Sequence, residues 1–493
     1  MMKMDENRTA ITGIIRDFAK SQPEKTALVI HDNKISYGEF YRKITSASRF
    51  LSDAGVRKGT HVVTVACPEI DYLVCEYAIL GLGAVNIPTE NRIPAERLGE
   101  IASSVDAEFV LSYEKPTGNV KWIPYNDIDM ARPVDFDWIP ASVSDDCSEI
   151  IFTTGTTGKS KGVMLSSHCL ETYLAAINPS FKMENSTVFL VTTPLNHVGG
   201  LHRIHQCMSV GCTAVLLDGI KDLKAFFRSI SEYGVTHTYL PPASVKLLIT
   251  LARKDLAKLN GKLQFIYTAS APFPMADIET LMQILPNTRL HQGYGSSETG
   301  SISNCQYNAP GETVNSLGKP YSCVEVILHD DNGNEIKEPN VEGYIRSRSS
   351  MNMLGYYGEP ELTKEVLKNG FIYSHDLMFF DEKGELHFAG RGDDVINIRG
   401  FKVAPIEVEN EALRFEKIVD CVCLPVDDRL SGKALMLLVV VKEGQAFDEQ
   451  EIVSFLETKL ESYKIPKKIR VIEEIPKTYN GKTDRKKLME MVM

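Results

Sequence analysis

The stretch Ile151-Phe-Thr-Thr-Gly-Thr-Thr-Gly-Lys-Ser-Lys-Gly162 opens on the end of the apolar run Glu149-Ile-Ile-Phe152. From Thr153 onward it holds four Thr, three Gly, two Lys and one Ser in ten residues. Glycine lets a backbone turn tightly with its N–H groups aimed inward. Hydroxyls add donors and lysines add positive charge. This is a cradle for a polyphosphate. A P-loop needs Gly, four residues, then Gly-Lys-Ser/Thr. Gly158-Lys159-Ser160 satisfies the end of that pattern, but Thr153 stands where the first glycine is required and Gly155 comes two residues too late. The loop is therefore a phosphate loop of another class.

Working outward, short β-rich runs alternate with amphipathic ones from about Thr26 to Arg346. Ala27-Leu-Val-Ile30, His61-Val-Val-Thr-Val65, Val188-Phe-Leu-Val191 and Phe265-Ile-Tyr267 predict strands. Helices are predicted at Ile70–Leu80 and Leu223–Ser231. Such alternation argues for layered α/β units with mainly parallel sheets. After about residue 320, turn signals at Asp331-Asn-Gly333 and Asp381-Glu-Lys-Gly384 point to antiparallel hairpins. The last hundred residues predict an α+β unit: a strand at Ala434–Lys442, a helix at Asp448–Ser462, a strand at Ile469–Ile472 and a polar tail.

At 493 residues, two or three domains are expected. A net charge of −11 argues against nucleic acid as the main partner. The ten Cys lack a CxxC spacing, and Met1-Met-Lys-Met-Asp-Glu carries no apolar signal core, so reduced thiols in a cytoplasmic protein are expected. The aliphatic run Leu435-Met-Leu-Leu-Val-Val-Val441 is too short to cross a bilayer.

Five further segments join the phosphate loop, and together they resemble the acyl-adenylate-forming superfamily of acyl-CoA synthetases, adenylation domains and luciferases. They are Gln292-Gly-Tyr-Gly-Ser-Ser-Glu-Thr299, Phe371-Ile-Tyr-Ser-His-Asp376, the run from Gly390 to Glu409, Pro476-Lys-Thr-Tyr-Asn-Gly-Lys482, and Pro194-Leu-Asn-His-Val-Gly-Gly200. The resemblance covers nearly the whole chain. It implies an α/β fold: a large N-terminal domain (1–392) of layered α/β subdomains with a small β-barrel-like part, then a small mobile C-terminal α+β domain (393–493).

It also implies roles. Thr153, Thr154, Gly155, Thr156, Thr157, Gly158, Lys159 and Lys161 hold ATP phosphates, and Thr156 counts among the catalytic residues. Ser270, Ala271, Pro272, Gln292, Gly293, Tyr294, Gly295, Ser296 and Ser297 surround the nucleotide. Tyr294 packs on adenine, Ser297 meets the α-phosphate and Glu298 binds Mg²⁺. Gly293 and Gly295 read as places where backbone approaches a planar ligand. Asp376 holds the ribose diol and Arg391 binds ribose and phosphate. Asp393 is the hinge. Gly400, Phe401 and Lys402 face the thiol acceptor, and Lys482 bridges the incoming carboxylate and the α-phosphate.

His197, Val198, Gly199 and Gly200 form the wall of the acid pocket, where small residues would admit an acyl or aryl group. Ser160 departs from the family's usual Pro, and Ser374-His375 from its Thr-Gly. No acid occurs between Glu184 and Asp218, which disfavours amino-acid substrates. His197, His202 and His205 invite a zinc reading, but HExxH spacing and its Glu are missing. Arg203, with His202 or His205, fits a second substrate carboxylate, as in o-succinylbenzoate, and a solvated surface cation explains Arg203 equally well.

The implied activity is ATP-dependent, AMP-forming activation of a carboxylic acid, followed by transfer to coenzyme A. A carrier-protein phosphopantetheine is the alternative acceptor. A homodimer is compatible with the resemblance.

Overall fold

The structure is a computed structural model that describes residues 10–135, 143–154, 160–314, 316–398, 401–428, 432–477 and 483–492. Two large sheets carry the N-terminal part. The eight-stranded sheet runs Gly300–Gln306, Arg289–Ser296, Phe265–Thr268, His237–Tyr239, Val188–Val191, Thr213–Leu216, Thr26–Ile30, Asn33–Ser36. Its inner strands are parallel and only the outermost pair at each edge is antiparallel. The seven-stranded sheet runs Gly355–Tyr356, Ser160–Ser166, Cys147–Thr154, Val85–Thr89, His61–Val65, Phe109–Ser112, Lys121–Pro124.

Side chains alternate across a strand, so a strand covered on both faces must be apolar at consecutive positions. The runs behave this way. Leu28, Phe189 and Val62 join one hydrophobic cluster. Their neighbours Val29 and Leu190 join a second, and Val63 a third. The first cluster also takes in helices Tyr37–Ala54, Ile70–Gly81, Ser167–Ser180 and Val198–Val210, which fill the space between the two sheets. Helix Ile70–Gly81 is apolar nearly all round because it is buried nearly all round.

The β-barrel-like part is a six-stranded antiparallel sheet built on Glu325–His329, Gly343–Arg348 and Phe371–Phe380. Both turn signals fall between paired antiparallel strands: Glu325–His329 with Glu335–Ile336, and Phe371–Phe380 with Leu386–Arg391. Beyond residue 395 a separate core gathers Ile396, Val403, Val408, Cys423, Leu437 and Ile452. It surrounds a three-stranded sheet of Ile418–Asp428, Gly432–Val441 and Lys468–Val471.

Two expectations change. The helix expected to reach residue 462 ends at Glu457, and a short 3₁₀ turn follows at Ser462–Lys464. The expected polar tail contains the helix Arg485–Val492, because Leu488 is buried against Val422 and Leu438 while Arg485 bonds Glu409. All ten cysteines are free, and among the described residues no helix is long and apolar enough to cross a membrane.

Candidate active site

The phosphate segment is a hairpin whose strands, Cys147–Thr154 and Ser160–Ser166, pair Thr153 with Lys161 and Thr154 with Ser160. Gly155, Thr156, Thr157, Gly158 and Lys159 lie outside the described residues, as does the side chain of Thr154. Ser160 takes a ladder position that a proline could fill only by giving up a donor. The Lys161 ammonium lies 5.3 Å from the centre of the Tyr356 ring. The Tyr356 hydroxyl donates to Glu298 Oε1 at 2.8 Å. Burial, and then the Glu298 charge, push the Tyr356 phenol well above its ordinary range, so it remains a donor.

Glu298 sits at the tip of the hairpin between Arg289–Ser296 and Gly300–Gln306. Ser296 and Thr299 lock that tip: the Ser296 N–H donates to Thr299 Oγ1 at 3.0 Å and the Thr299 N–H to Ser296 Oγ at 3.2 Å. Ser297 is buried in the turn and Gln292 in the strand below. Gly293 and Gly295 answer to protein contacts. A Cβ on Gly293 would stand 2.0 Å from the Tyr267 hydroxyl, and one on Gly295 would stand 2.1 Å from the Gly300 carbonyl oxygen. The sequence reading attributed both glycines to ligand approach; their neighbours within the fold already require them.

Asp376 and Arg391 are register partners on adjacent strands. The Tyr294 hydroxyl donates to Asp376 Oδ2 at 2.6 Å, and Arg391 Nε lies 3.4 Å from Asp376 Oδ1. Burial, then the Asp376 charge, hold the Tyr294 phenol well above its usual range. His375 Nδ1 lies 2.9 Å from Asp393 Oδ1, so the departure from the family pattern contacts the expected hinge. The next acid faces the other way: Asp394 Oδ2 lies 3.7 Å from Arg485 Nε in the C-terminal helix. Lys482 and Gly400 lie outside the described residues, as do the side chains of Phe401 and Lys402. The ends flanking Lys482 are anchored, Lys477 by Asp420 at 3.1 Å and Arg485 by Glu409 at 3.0 Å.

The acid-pocket segment begins helix Val198–Val210, capped by His197, whose Nδ1 accepts from the Gly199 N–H at 3.0 Å. A Cβ on Gly200 would stand 2.2 Å from the Pro194 carbonyl oxygen, so Gly200 is a close helix-to-loop contact. A Cβ on Gly199 would stand 3.0 Å from the Tyr239 ring. The Tyr239 hydroxyl donates to Ser270 Oγ at 3.1 Å. Ser270 adopts φ 74°, left-handed backbone that a non-glycine residue holds only under constraint, and Ala271 and Pro272 follow it.

The three histidines separate. His202 Nε2 and His205 Nε2 lie 3.2 and 3.1 Å from the two oxygens of buried Glu149, and Tyr77 bonds His205 Nδ1 at 2.9 Å. Asn86 and Tyr72 donate to Glu76 beside them. Burial would raise the Glu149 carboxyl, but its histidine hydrogen bonds bring it below the usual range. Burial and the Glu149 charge push Glu76 well up, and burial lowers His205. The carboxylates that could complete a metal set, Glu76 and Glu149, come from distant segments and were not legible beside the histidines. Arg203 is 4% exposed, which rules out the surface-cation reading.

Glu298 suits Mg²⁺. One oxygen is fixed by Tyr356, and the other has no hydrogen bond among the described residues. One carboxylate oxygen, with substrate phosphates and water supplying the rest, is the ordinary protein share of a magnesium shell.

Known proteins place the fold. The AMP-binding enzyme family matches residues 15–357 and the AMP-binding enzyme C-terminal domain matches 407–482. A 2-succinylbenzoate–CoA ligase of Bacillus cereus is 27% identical, covering 95% of this chain and 96% of its own. The 4-coumarate–CoA ligase-like 4 protein of Oryza sativa subsp. japonica is 28% identical, covering 93% and 88%. In structure, ATP-bound MatB from Rhodopseudomonas palustris matches with TM-score 0.88 at 22% identity, covering 98% and 99%. The o-succinylbenzoate CoA synthetase MenE from Bacillus subtilis, in complex with the acyl-adenylate intermediate OSB-AMP, matches with TM-score 0.85 at 22%, covering 96% and 97%. With both family domains matched in order along one fold, the chain belongs to the AMP-binding enzyme family.

Proposed function

We propose that this protein joins a carboxylic acid to coenzyme A in two steps at one site. In the first, a carboxylate oxygen attacks the α-phosphorus of ATP. An O–P bond forms, the bond from the α-phosphorus to the bridging oxygen breaks, and pyrophosphate leaves. In the second, the coenzyme A sulfur attacks the acyl carbon, the C–O bond to AMP breaks, and AMP leaves with the thioester formed.

The observation that carries this reading is the convergence of Tyr294, Asp376 and Arg391, drawn from three separate segments, with a hydrogen bond of 2.6 Å from Tyr294 and an ion-pair contact of 3.4 Å from Arg391 on one carboxylate. A carboxylate so oriented suits a ribose diol, and Arg391 adds charge for a phosphate. Residues 153–161 hold the polyphosphate, and Lys482 offsets the repulsion between two anions as they approach. Glu298 would hold Mg²⁺, which neutralises phosphate charge. His197 and Val198 line the acid end.

The domain boundary at 392/393 belongs to this reading. Its support is that Asp393 pairs with His375 on one side and Asp394 with Arg485 on the other. The small domain turns there, withdrawing Lys482 and presenting Gly400, Phe401 and Lys402, so each step meets its own groups.

Acid-dependent exchange of labelled pyrophosphate into ATP reads the first step. Lys482→Ala should lower exchange about 100- to 1000-fold, as loss of one preorganised charge does, while leaving thioester formation from supplied acyl-AMP largely intact. Full exchange in that variant would remove Lys482 from the mechanism. Thioester assays with coenzyme A and with a holo-carrier distinguish the acceptors; coenzyme A is expected to serve. Light scattering of the full chain tests whether it forms a homodimer, and fractionation reads the expected cytoplasmic location.

A further inference from the structure

Arg203 is a buried cation with no anionic partner among the described residues. It is 4% exposed, and neither its Nε nor its Nη1 has a hydrogen-bond partner. Its guanidinium lies 5.6, 5.3, 5.9 and 5.7 Å from the ring centres of Tyr173, Phe181, Tyr239 and Tyr267. Ring faces offset part of the desolvation of a cation, but they do not accept the directed N–H bonds of a planar fork. A buried arginine is ordinarily paired with a carboxylate. The buried acid against this helix, Glu149 of strand Cys147–Thr154, is already engaged by His202 and His205.

The position of this box gives the orphaned donors a meaning. Tyr239 donates to Ser270. The Tyr267 hydroxyl fills the space where a side chain on Gly293 would stand. Gly199 lies against Tyr239. The box therefore backs onto the acid wall and the expected nucleotide segments at once.

We propose that Arg203 is the specificity-determining residue of the acid site, and that the substrate is a dicarboxylic acid. One carboxylate is activated at the α-phosphate. The other is received by the guanidinium of Arg203, whose Nε and Nη1 have no partner among the described residues, with the surrounding rings walling off water. This rests on the acid-activating reading above. The rival role for Arg203 is a cation stacked among rings for packing alone.

The test uses the full chain with ATP, Mg²⁺ and coenzyme A, read by AMP release. Straight-chain and aryl dicarboxylic acids are compared with their monomethyl esters and with monocarboxylic acids of equal length. Wild type should favour the better diacids over their monoesters by about 100-fold or more in kcat/KM, since a site built around hydrogen-bonding groups rejects analogues that leave them unpaired. Arg203→Met should remove that preference through the diacid KM, with the KM for ATP unchanged, and Arg203→Lys should restore part of it. A wild type that prefers monoesters or monoacids overturns the inference, as does an Arg203→Met variant that keeps the preference. If Arg203→Met does not fold, calorimetric binding of diacid against monoester to the wild type decides instead. AMP release from monoacids alone sinks only the role of Arg203. AMP release from no acid sinks the activating reading, and diacid binding by calorimetry still tests Arg203.

Discussion

Glu76 and Glu149 show how two neighbouring carboxyls acquire opposite states. Both are fully buried, and desolvation alone would raise both. Glu149 receives two histidine hydrogen bonds and is held as the anion. Glu76 is pushed well up by burial and by that anion, and its Oε1 has no hydrogen-bond partner among the described residues. An acid whose folded pKa is raised stabilises the fold below its unfolded value, about 4.3, and loses that contribution as pH rises toward the folded value. Glu76→Gln keeps a neutral group of the same shape. The variant should therefore gain on wild type in melting temperature as pH rises from 5 to 8, and the gap should be smallest at pH 5. A gap constant with pH would mean that Glu76 is ionised in the native protein. Gly293 and Gly295 carry a related lesson: the residue types that suggested a ligand are already demanded by Tyr267 and by the adjoining strand.

Among the elements, hairpins and one helix do most of the positioning. The short strand Gly355–Tyr356 pairs antiparallel with Ser160–Ser166, which brings Tyr356 under Lys161 and onto Glu298. No sequence motif marked Tyr356. Its partners lie on two other segments, and only strand pairing unites them. Tyr356→Phe removes one charge-assisted hydrogen bond, so the KM for Mg-ATP in pyrophosphate exchange should rise about 10- to 150-fold, matching the 1.5–3 kcal/mol of such bonds. Titration of exchange against Mg-ATP checks this; an unchanged KM would detach Tyr356 from the phosphate site. Helix Val198–Val210 serves two environments. His202 and His205, three residues apart, share the face toward Glu149, while Arg203 turns into the aromatic box.

At the scale of the whole molecule, the consecutive acids at 393 and 394 divide the chain's allegiance. Asp393 is held by His375 from the large part, and Asp394 by Arg485 from the small part. His375→Gly removes the shorter of two contacts on Asp393 and leaves Arg391, whose Nη2 lies 3.9 Å from Asp393 Oδ2. An exposed pair of this kind contributes about 0.2–1 kcal/mol, so the population of the observed interdomain arrangement should fall by less than about fivefold. Distance measurements between dyes on the two parts would read it. A shift well beyond tenfold would mean that His375 does more than hold this pair.

The sequence by itself determined the alternation of strands and helices, the six motif segments, and the types of group they bring to a nucleotide. These are local properties, written in consecutive residues and fixed spacings. It misread the end of the chain as a polar tail, because Leu488 and Arg485 reveal their partners, Val422 and Glu409, only after folding. It also left Arg203 divided between solvent and substrate. Burial is set by everything that packs around a side chain, and the four rings that enclose Arg203 come from three separate segments: helix Ser167–Ser180 with Phe181 at its end, and the strands that carry Tyr239 and Tyr267. The chemistry was legible along the chain. Which charges were paired, and which one was left waiting for a partner, only the tertiary structure decided.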